Sequence, residues 1–477
     1  MARFEAMWAD DAWEPGRDAE QRAYLSSCLQ AVRGALEDAG CQVEWKCYGS
    51  AAGASVEAGN AGNDFRLAVV DVEFGTEQWN WQSVVEALAR RSIPYIMFTR
   101  FPADAELSER LRNDPLRLAT FEKNAADVGT LVAQVVAFFR APPLRILHLT
   151  DLHVRAKPQP GEAREQEQRF QALNDCLEAE SAVRPFDAVA LTGDFAAGDA
   201  FLDLAVARQR VRKLIELAVM GDAERAFVIP GNHDIHWRDF AARELADQAW
   251  QPYLDFYQAC AGGRQGLLSE LAAWDGELHL MRRDVSAGAL MWHRALPTMR
   301  LSVLGLATPL TDIARQGQGE FAAEYVRFVQ RHWPGVPAPG EVRLALMHHN
   351  LFSVFSASAH EEQHVLHGAG LALQTLISAR CHLVLSGHTH ATMVMQTTAA
   401  RLTLAQWSEQ GTLTAISAGT AGGAHPSQDR ARVFNILEIG DGRTGEPRSL
   451  AVRTFAYDSG AARWEEMRPF AGLALHS

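Results

Sequence analysis

Short apolar runs alternate with longer stretches whose apolar residues recur every three or four positions, and the alternation runs twice along the chain. In the first round, strands are expected at Arg3–Ala9, Gln42–Tyr48, Arg66–Asp71, Ile93–Phe98 and Arg117–Phe121, with helices near Ala19–Ala39, Gln82–Arg91 and Ala125–Arg140. Strand–helix alternation of this kind predicts a parallel α/β sandwich. The stretch Gly49–Asn63, rich in Gly and Ala, reads as a flexible loop or a weak helix where a covering helix is otherwise expected.

The pattern restarts at Ala141-Pro142-Pro143, where two prolines block continuation of the preceding helix. This boundary divides the chain into 1–141 and 144–477. Beyond it, near-continuous apolar strands are expected at Arg145–Thr150, Ala188–Thr192, Ala226–Pro230, Leu301–Ala307, Val342–Met347 and His382–Ser386. Most end in polar residues, as strands do where a sheet gathers ligands at its carboxyl ends. The segment Ile235–Arg300 reads as an insertion, helical around Asp239–Cys260 and Gly266–Asp275, that builds a cap over such a site. Runs at Thr412–Ile416, Val433–Ile439 and Leu450–Tyr457 are expected to complete the second sheet, with Trp464 and Phe470 as packing residues.

Composition narrows the field. With 477 residues, 48% hydrophobic and 22% charged, the chain suits two or three folded domains and excludes disordered or collagen-like architectures. The 45 basic and 58 acidic residues leave a formal charge of −13, with no global attraction to nucleic acid or an anionic membrane. Only four residues are lysines, Lys46, Lys123, Lys157 and Lys213, so a lysine at a chemically meaningful position carries weight. Six cysteines without CxxC spacing read as reduced thiols. With no basic-then-apolar leader and no apolar run of membrane length, the expected location is cytoplasmic, without a membrane partner.

The strand ends carry Asp151-Leu152-His153, Gly193-Asp194, Gly231-Asn232-His233-Asp234, His348-His349-Asn350 and Gly387-His388-Thr389-His390. In an extended segment alternate residues share a face, so Asp151/His153 and His388/His390 would each project two donors to one side. Nitrogen and oxygen donors without thiolate suit Mn, Fe, Zn, Ni or Co better than a structural zinc site. Seven ligands with one shared carboxylate would hold two ions. His148 reads as a packed core residue, and His236, His360, His364 and His367 as loop histidines, while Leu351–Gly370 is placed to shape substrate access.

The order Asp-x-His, Gly-Asp, Gly-Asn-His-Asp, His, Gly-His-x-His resembles the calcineurin-like metallophosphoesterase superfamily, over Leu144 to at least His390. The resemblance implies a four-layer αββα sandwich with two divalent transition-metal ions at its rim. It assigns Asp151, His153 and His390 to the first ion, Asn232, His348 and His388 to the second, and Asp194 to both. His348 rather than His349 takes the ligand position next to the strand. His233 would stabilise charge or protonate the leaving oxygen, with Asp234 orienting its ring. Gly193-Asp194 continues Phe195-Ala196-Ala197 with no tyrosine where purple acid phosphatases place a metal-binding one, and Asp151-Leu152-His153 has histidine where those enzymes do not, so the motif set is most similar to the bacterial cyclic-nucleotide phosphodiesterase branch. The implied reaction is in-line attack on phosphorus by a hydroxide bridging the two metals.

In the first unit, Asp10-Asp11, Asp71, Thr99 and Lys123 fall at successive strand ends, a constellation that resembles a response-regulator receiver domain of flavodoxin-like fold. That resemblance makes Asp10 and Asp11 the Mg²⁺ ligands, Asp71 the phosphoacceptor, Thr99 the switch hydroxyl and Lys123 the charge partner. Arg100 and Asn124 depart from the small residue and the proline usual in that family. The expected molecule is a phosphodiesterase acting on a cyclic nucleotide or related small phosphodiester. A histidine kinase or docking partner would meet the receiver-like unit, which could also form a homodimer. A nuclease of the same superfamily, and a degenerate metal-binding scaffold, remain as alternatives.

Overall fold

The computed structural model describes residues 3–16, 19–60, 62–63, 65–74, 77–78, 81–91, 93–100, 114, 116–139, 143–235, 246–261, 291–309, 319–335, 337, 340–352, 366–400, 410–422, 432–440, 448–467 and 470–475. In chain order the first part comprises β1 (Arg3–Ala9), α1 (Ala19–Asp38), β2 (Gln42–Tyr48), α2 (Ala51–Gly59), β3 (Phe65–Val70), β4 (Glu73–Phe74), β5 (Glu77–Gln78), α3 (Trp81–Arg90), β6 (Tyr95–Thr99), β7 (Arg117–Glu122) and α4 (Ala125–Phe139). The five long strands form a parallel sheet in the order β2-β1-β3-β6-β7. This is the doubly wound receiver-type order, whose switch point lies between β1 and β3. Alternation along β1 sends Phe4, Ala6 and Trp8 to a core with α1 and α4, and Met7 and Ala9 to the opposite core with α2 and α3.

The stretch left open as loop or weak helix is helical. Ser50 Oγ accepts from Gly53 N (3.2 Å), and Ala51, Ala54 and Ala58, spaced three and four apart, form the buried face. Alanines bury little area each, which is why the apolar signal was faint.

The second part comprises β8 (Leu144–Leu149), α5 (Pro160–Val183), β9 (Ala188–Leu191), α6 (Ala200–Val219), β10 (Ala226–Val228), α7 (Ala246–Ala261), β11 (Met291–Leu296), β12 (Leu301–Leu306), α8 (Ala323–His332), β13 (Val342–Met347), α9 (Ala369–Ser378), β14 (Leu383–Ser386), β15 (Met393–Ala400), β16 (Gln410–Ser417), β17 (Val433–Ile439), β18 (Arg448–Asp458), β19 (Arg463–Glu466) and β20 (Phe470–Leu475). One sheet runs β10-β9-β8-β17-β18-β19, with β20 also on β18; the other runs β11-β12-β13-β14-β16-β15. Ile146, Ala188, Phe227, Val303, Leu344 and Leu385 fill the space between the sheets. The outer face of the first sheet packs on α5, α6 and α7, and that of the second on α8 and α9. The layers are therefore helix, sheet, sheet, helix.

Two expectations are corrected. The insertion does not extend to residue 300, because β11 pairs antiparallel along the whole of β12 and belongs to the sheet. Gly266–Asp275 and most of Leu351–Gly370 lie outside the described residues, as do His236, His360 and His364. The tail strands do not all join one sheet: β16 pairs with β14, while β17 returns antiparallel to β8 and carries β18 with it. An antiparallel return closes the exposed edge of β8, which a parallel core otherwise leaves open. Trp464 packs as expected, its ring centroid 5.1 Å from that of Phe434, and no described helix is long and apolar enough to cross a membrane.

The two parts meet at a joint of cations and aromatic rings. Arg300 Nη2 donates to Phe138 O (3.1 Å) and its guanidinium lies 4.3 Å from the Phe138 ring centroid. Arg66 covers Phe4 at 5.4 Å, and Phe4 packs on Phe139. Gly340, at φ +78°, has a backbone that disfavours a side chain, and a Cβ there would have to displace the Arg66 guanidinium. Arg300 and Gly340 precede β12 and β13, whereas Phe4 and Arg66 open β1 and β3. The joint thus lies at the amino ends of the strands in both parts.

Candidate metal centre

At the carboxyl ends of the second part, Asp151 follows β8, Asp194 follows β9, Asn232 and His233 follow β10, His348 follows β13, and His388 and His390 follow β14. Asp151, His153, Asp194, His388 and His390 all have left-handed backbones, with φ of 54°, 41°, 54°, 67° and 53°. The paired donors therefore converge through tight turns, not along extended segments as the residue spacing suggests. Each such non-glycine turn costs about 1–2 kcal/mol and persists only where the surroundings enforce it. Here the loops enforce one another. Asp151 N and His153 N donate to the carbonyls of Gly193 and Asp194 (both 2.9 Å), and Thr420 Oγ1 donates to Asp151 O (2.6 Å). His388 N donates to Asp151 Oδ2 (3.0 Å).

The donors fall into three overlapping groups, each within 4.8 Å: Asp151, His153 and His390; His153, Asp194 and His233; Asp194, His348 and His388. His153 Nε2 and His390 Nε2 face each other at 3.0 Å, and His390 Nε2 lies 3.0 Å from Asp151 Oδ1. Among the described residues that buried carboxylate oxygen has no hydrogen bond of full geometry, only the imidazole nitrogens beside it. Asn232 Oδ1 stands 3.1 Å from both His348 Nε2 and His388 Nδ1. His348 Nδ1 is turned to Thr192 O (2.7 Å), which leaves Nε2 for the cluster. His349, its neighbour, instead contacts Thr308 Oγ1 through Nδ1 (2.8 Å), with its ring 4.3 Å from that of His388.

The electrostatics fit a cation. Burial pushes Asp194 up, but the imidazoles of His348, His233 and His153 hold it well below the usual carboxylate range. Burial lowers His348, yet the Asp194 charge outweighs this and leaves it up at about 9. Buried imidazole nitrogens and carboxylate oxygens are the donor set that divalent transition ions take, and a cation there would replace the protons that the carboxylates otherwise hold on the imidazoles.

His233 is exposed at the rim, its ring 5.1 Å from that of His153, and its backbone N donates to Asp194 Oδ1 (2.8 Å). Asp234 does not orient that ring. Its Oδ1 accepts from Phe195 N (2.8 Å) and Ala196 N (2.9 Å) and its Oδ2 from Gly231 N (2.8 Å), so it staples two ligand loops together. Sequence reasoning also missed the hydroxyls behind the ligands. Thr150 Oγ1 donates to Asp151 Oδ2 (2.7 Å), and His148 Nε2 pairs with Thr192 Oγ1 (3.0 Å). Their one signal is a hydroxyl residue at three of the five strand ends, in Thr150-Asp151, Thr192-Gly193-Asp194 and Ser386-Gly387-His388.

In the first part Asp10, Asp11 and Asp71 bring carboxylate oxygens within 4.8 Å of one another. Lys123 Nζ lies 2.7 Å from Asp10 Oδ2 and 2.5 Å from Asp71 Oδ2. Burial, then the Asp71 charge, pushes Asp10 up to about 7 against the pull of Lys123. Thr99 is buried at the end of β6, its carbonyl accepting from Lys123 N (2.8 Å). Asp10, Asp11, Asp71 and Lys123 thus come together by their side chains, with Thr99 joined to Lys123 through its backbone.

Among solved structures, the chain is similar to a CheY-like receiver domain protein from Methanospirillum hungatei JF-1, at 22% identity over 28% of this chain and 94% of that one, with a TM-score of 0.21. The Legionella pneumophila response regulator LqsR matches at 16% identity over 29% and 44%, with a TM-score of 0.22. The response regulator domain of Thermotoga maritima CheB matches at 13% over 29% and 93%, with a TM-score of 0.21. No curated protein matches the chain. Residues 144–392, more than half of the sequence and the span that holds every donor of the centre, match the calcineurin-like phosphoesterases, and the chain belongs to that family.

Proposed function

We propose that this protein is a phosphodiesterase with two divalent transition-metal ions, one held by Asp151, His153 and His390, the other by Asn232, His348 and His388, with Asp194 shared. The observation that carries the reading is the membership of Asp194 in two of the overlapping donor groups. Two such ions supply Lewis-acid charge and an acidified water at phosphorus. His233, exposed beside the centre and anchored to Asp194 through its backbone, protonates the leaving oxygen from its ring. The absence of a tyrosine in Phe195-Ala196-Ala197 after Asp194, and His153 in the first donor group, support the cyclic-nucleotide branch over purple acid phosphatases.

Chelation is expected to abolish hydrolysis of bis(p-nitrophenyl) phosphate and Mn²⁺ to restore it, with Asp194→Asn the most damaging substitution. His233→Ala should slow turnover roughly 100–10,000-fold, and less for nitrophenolate than for poor leaving groups. A panel of cyclic nucleotides and single- and double-stranded DNA separates a small-diester enzyme from a nuclease, and activity in metal-free protein would sink the reading. We further propose that Asp71 takes a phosphoryl group from a histidine kinase, with Mg²⁺ at Asp10 and Asp11. Beryllofluoride with Mg²⁺ should then change hydrolysis or assembly in the wild type and leave Asp71→Asn unmoved.

A further inference from the structure

Behind the second metal position runs a buried hydrogen-bond chain that uses no ligand atom. Ser386 Oγ donates to Asn350 Oδ1 (2.5 Å), and Asn350 Nδ2 donates to Thr389 Oγ1 (2.6 Å). Asn350 is fully buried, and Ser386 and Thr389 are buried beside it. Ser386 ends β14, Asn350 stands two residues beyond His348 in the loop after the adjacent strand β13, and Thr389 lies between His388 and His390. The chain therefore leaves one strand end, crosses to the neighbouring ligand loop and returns to the turn that carries two donors.

That turn needs an external hold, since His388 and His390 are both left-handed. The amide suits the task because it accepts with one atom and donates with the other, and in this buried setting each end has a partner of the complementary kind. We propose that Asn350 is a positioning residue that holds the His388-Thr389-His390 turn closed and so sets the affinity of both metal positions without contacting either. The proposal rests on the two-metal reading above.

The test is titration of metal-free protein with Co²⁺, followed by the visible absorption of the bound ion and by calorimetry. Wild type is expected to take up two ions. Asn350→Ala should weaken uptake about 10–100-fold, the usual effect of removing an outer partner of metal ligands. Thr389→Val should do the same, whereas Thr389→Ser, which keeps the hydroxyl, should bind and absorb as wild type does. Should Asn350→Ala fail to fold, the Val/Ser pair at 389 carries the test alone. Wild-type affinity and spectrum in Asn350→Ala or Thr389→Val overturn the proposal and leave the two-metal reading standing, as does equal loss in Thr389→Ser and Thr389→Val. A wild type that binds no Co²⁺ overturns both.

Discussion

His148 lies three residues before Asp151, wholly enclosed, and burial pushes its pKa down from 6.5 to about 3. An unfolded chain takes up a proton there below pH 6.5 while the folded protein resists until about pH 3. The unfolded state then binds more protons, so the contribution to stability is complete above pH 6.5 and is lost as pH falls toward 3, at about 1.4 kcal/mol per unit. His148→Gln is accordingly expected to move the acid-unfolding midpoint to lower pH, as followed by far-ultraviolet circular dichroism; an unmoved midpoint removes His148 as the acid-sensitive group. Asp234 makes a different residue-scale prediction. Asp234→Ala strands three buried amides and should cost several kcal/mol, at about 1–3 kcal/mol for each unsatisfied group. Among molecules that stay folded, its effect on turnover should not depend on the leaving group, in contrast to His233→Ala. The ligand order was legible because Asp, Asn and His recur at strand ends in a fixed succession. The partners of Asp234 were not, because backbone amides carry no residue type.

At the scale of elements, most strands were readable to within a residue or two, since a parallel strand buried on both faces is apolar throughout. β11 escaped because Met-Trp-His-Arg-Ala-Leu is neither continuously apolar nor cleanly alternating. Its place is set by one large side chain. Trp292 stands opposite Gly305 in the register, stacks on Phe227 of the other sheet (5.9 Å), and donates from Nε1 to Val228 O (3.2 Å). A Cβ at Gly305 would enter the indole ring. Gly305→Ala should therefore destabilise the protein by about 1–3 kcal/mol in urea unfolding, the usual cost of overpacking. No loss of stability would mean that β11 packs loosely, as a mobile cap would. The sheet assignment of the tail strands was equally illegible, since only pairing decides which sheet each of β16 and β17 enters.

For the whole molecule, the prolines and the restarted pattern are the sequence's case for two parts, but nothing in it pointed to the joint, since Arg66 and Arg300 look like surface residues in a sequence. Gly340→Ala forces a side chain against Arg66 and should loosen the joint, seen as faster limited proteolysis between the two parts, with Mn²⁺-dependent hydrolysis of a small diester unchanged within about twofold. Unaltered proteolysis would show that Arg66 can move aside. Because the joint occupies the amino ends of both sheets, the acidic cluster and the metal centre, at the carboxyl ends, each lie about 20 Å of strand away from it. The influence of a phosphoryl group on Asp71 would reach the metal centre through the strands and the joint, or through assembly. The same placement means that a phosphodonor at Asp71 and a substrate at the metal centre would each approach the carboxyl ends of a separate sheet, and the joint would obstruct neither.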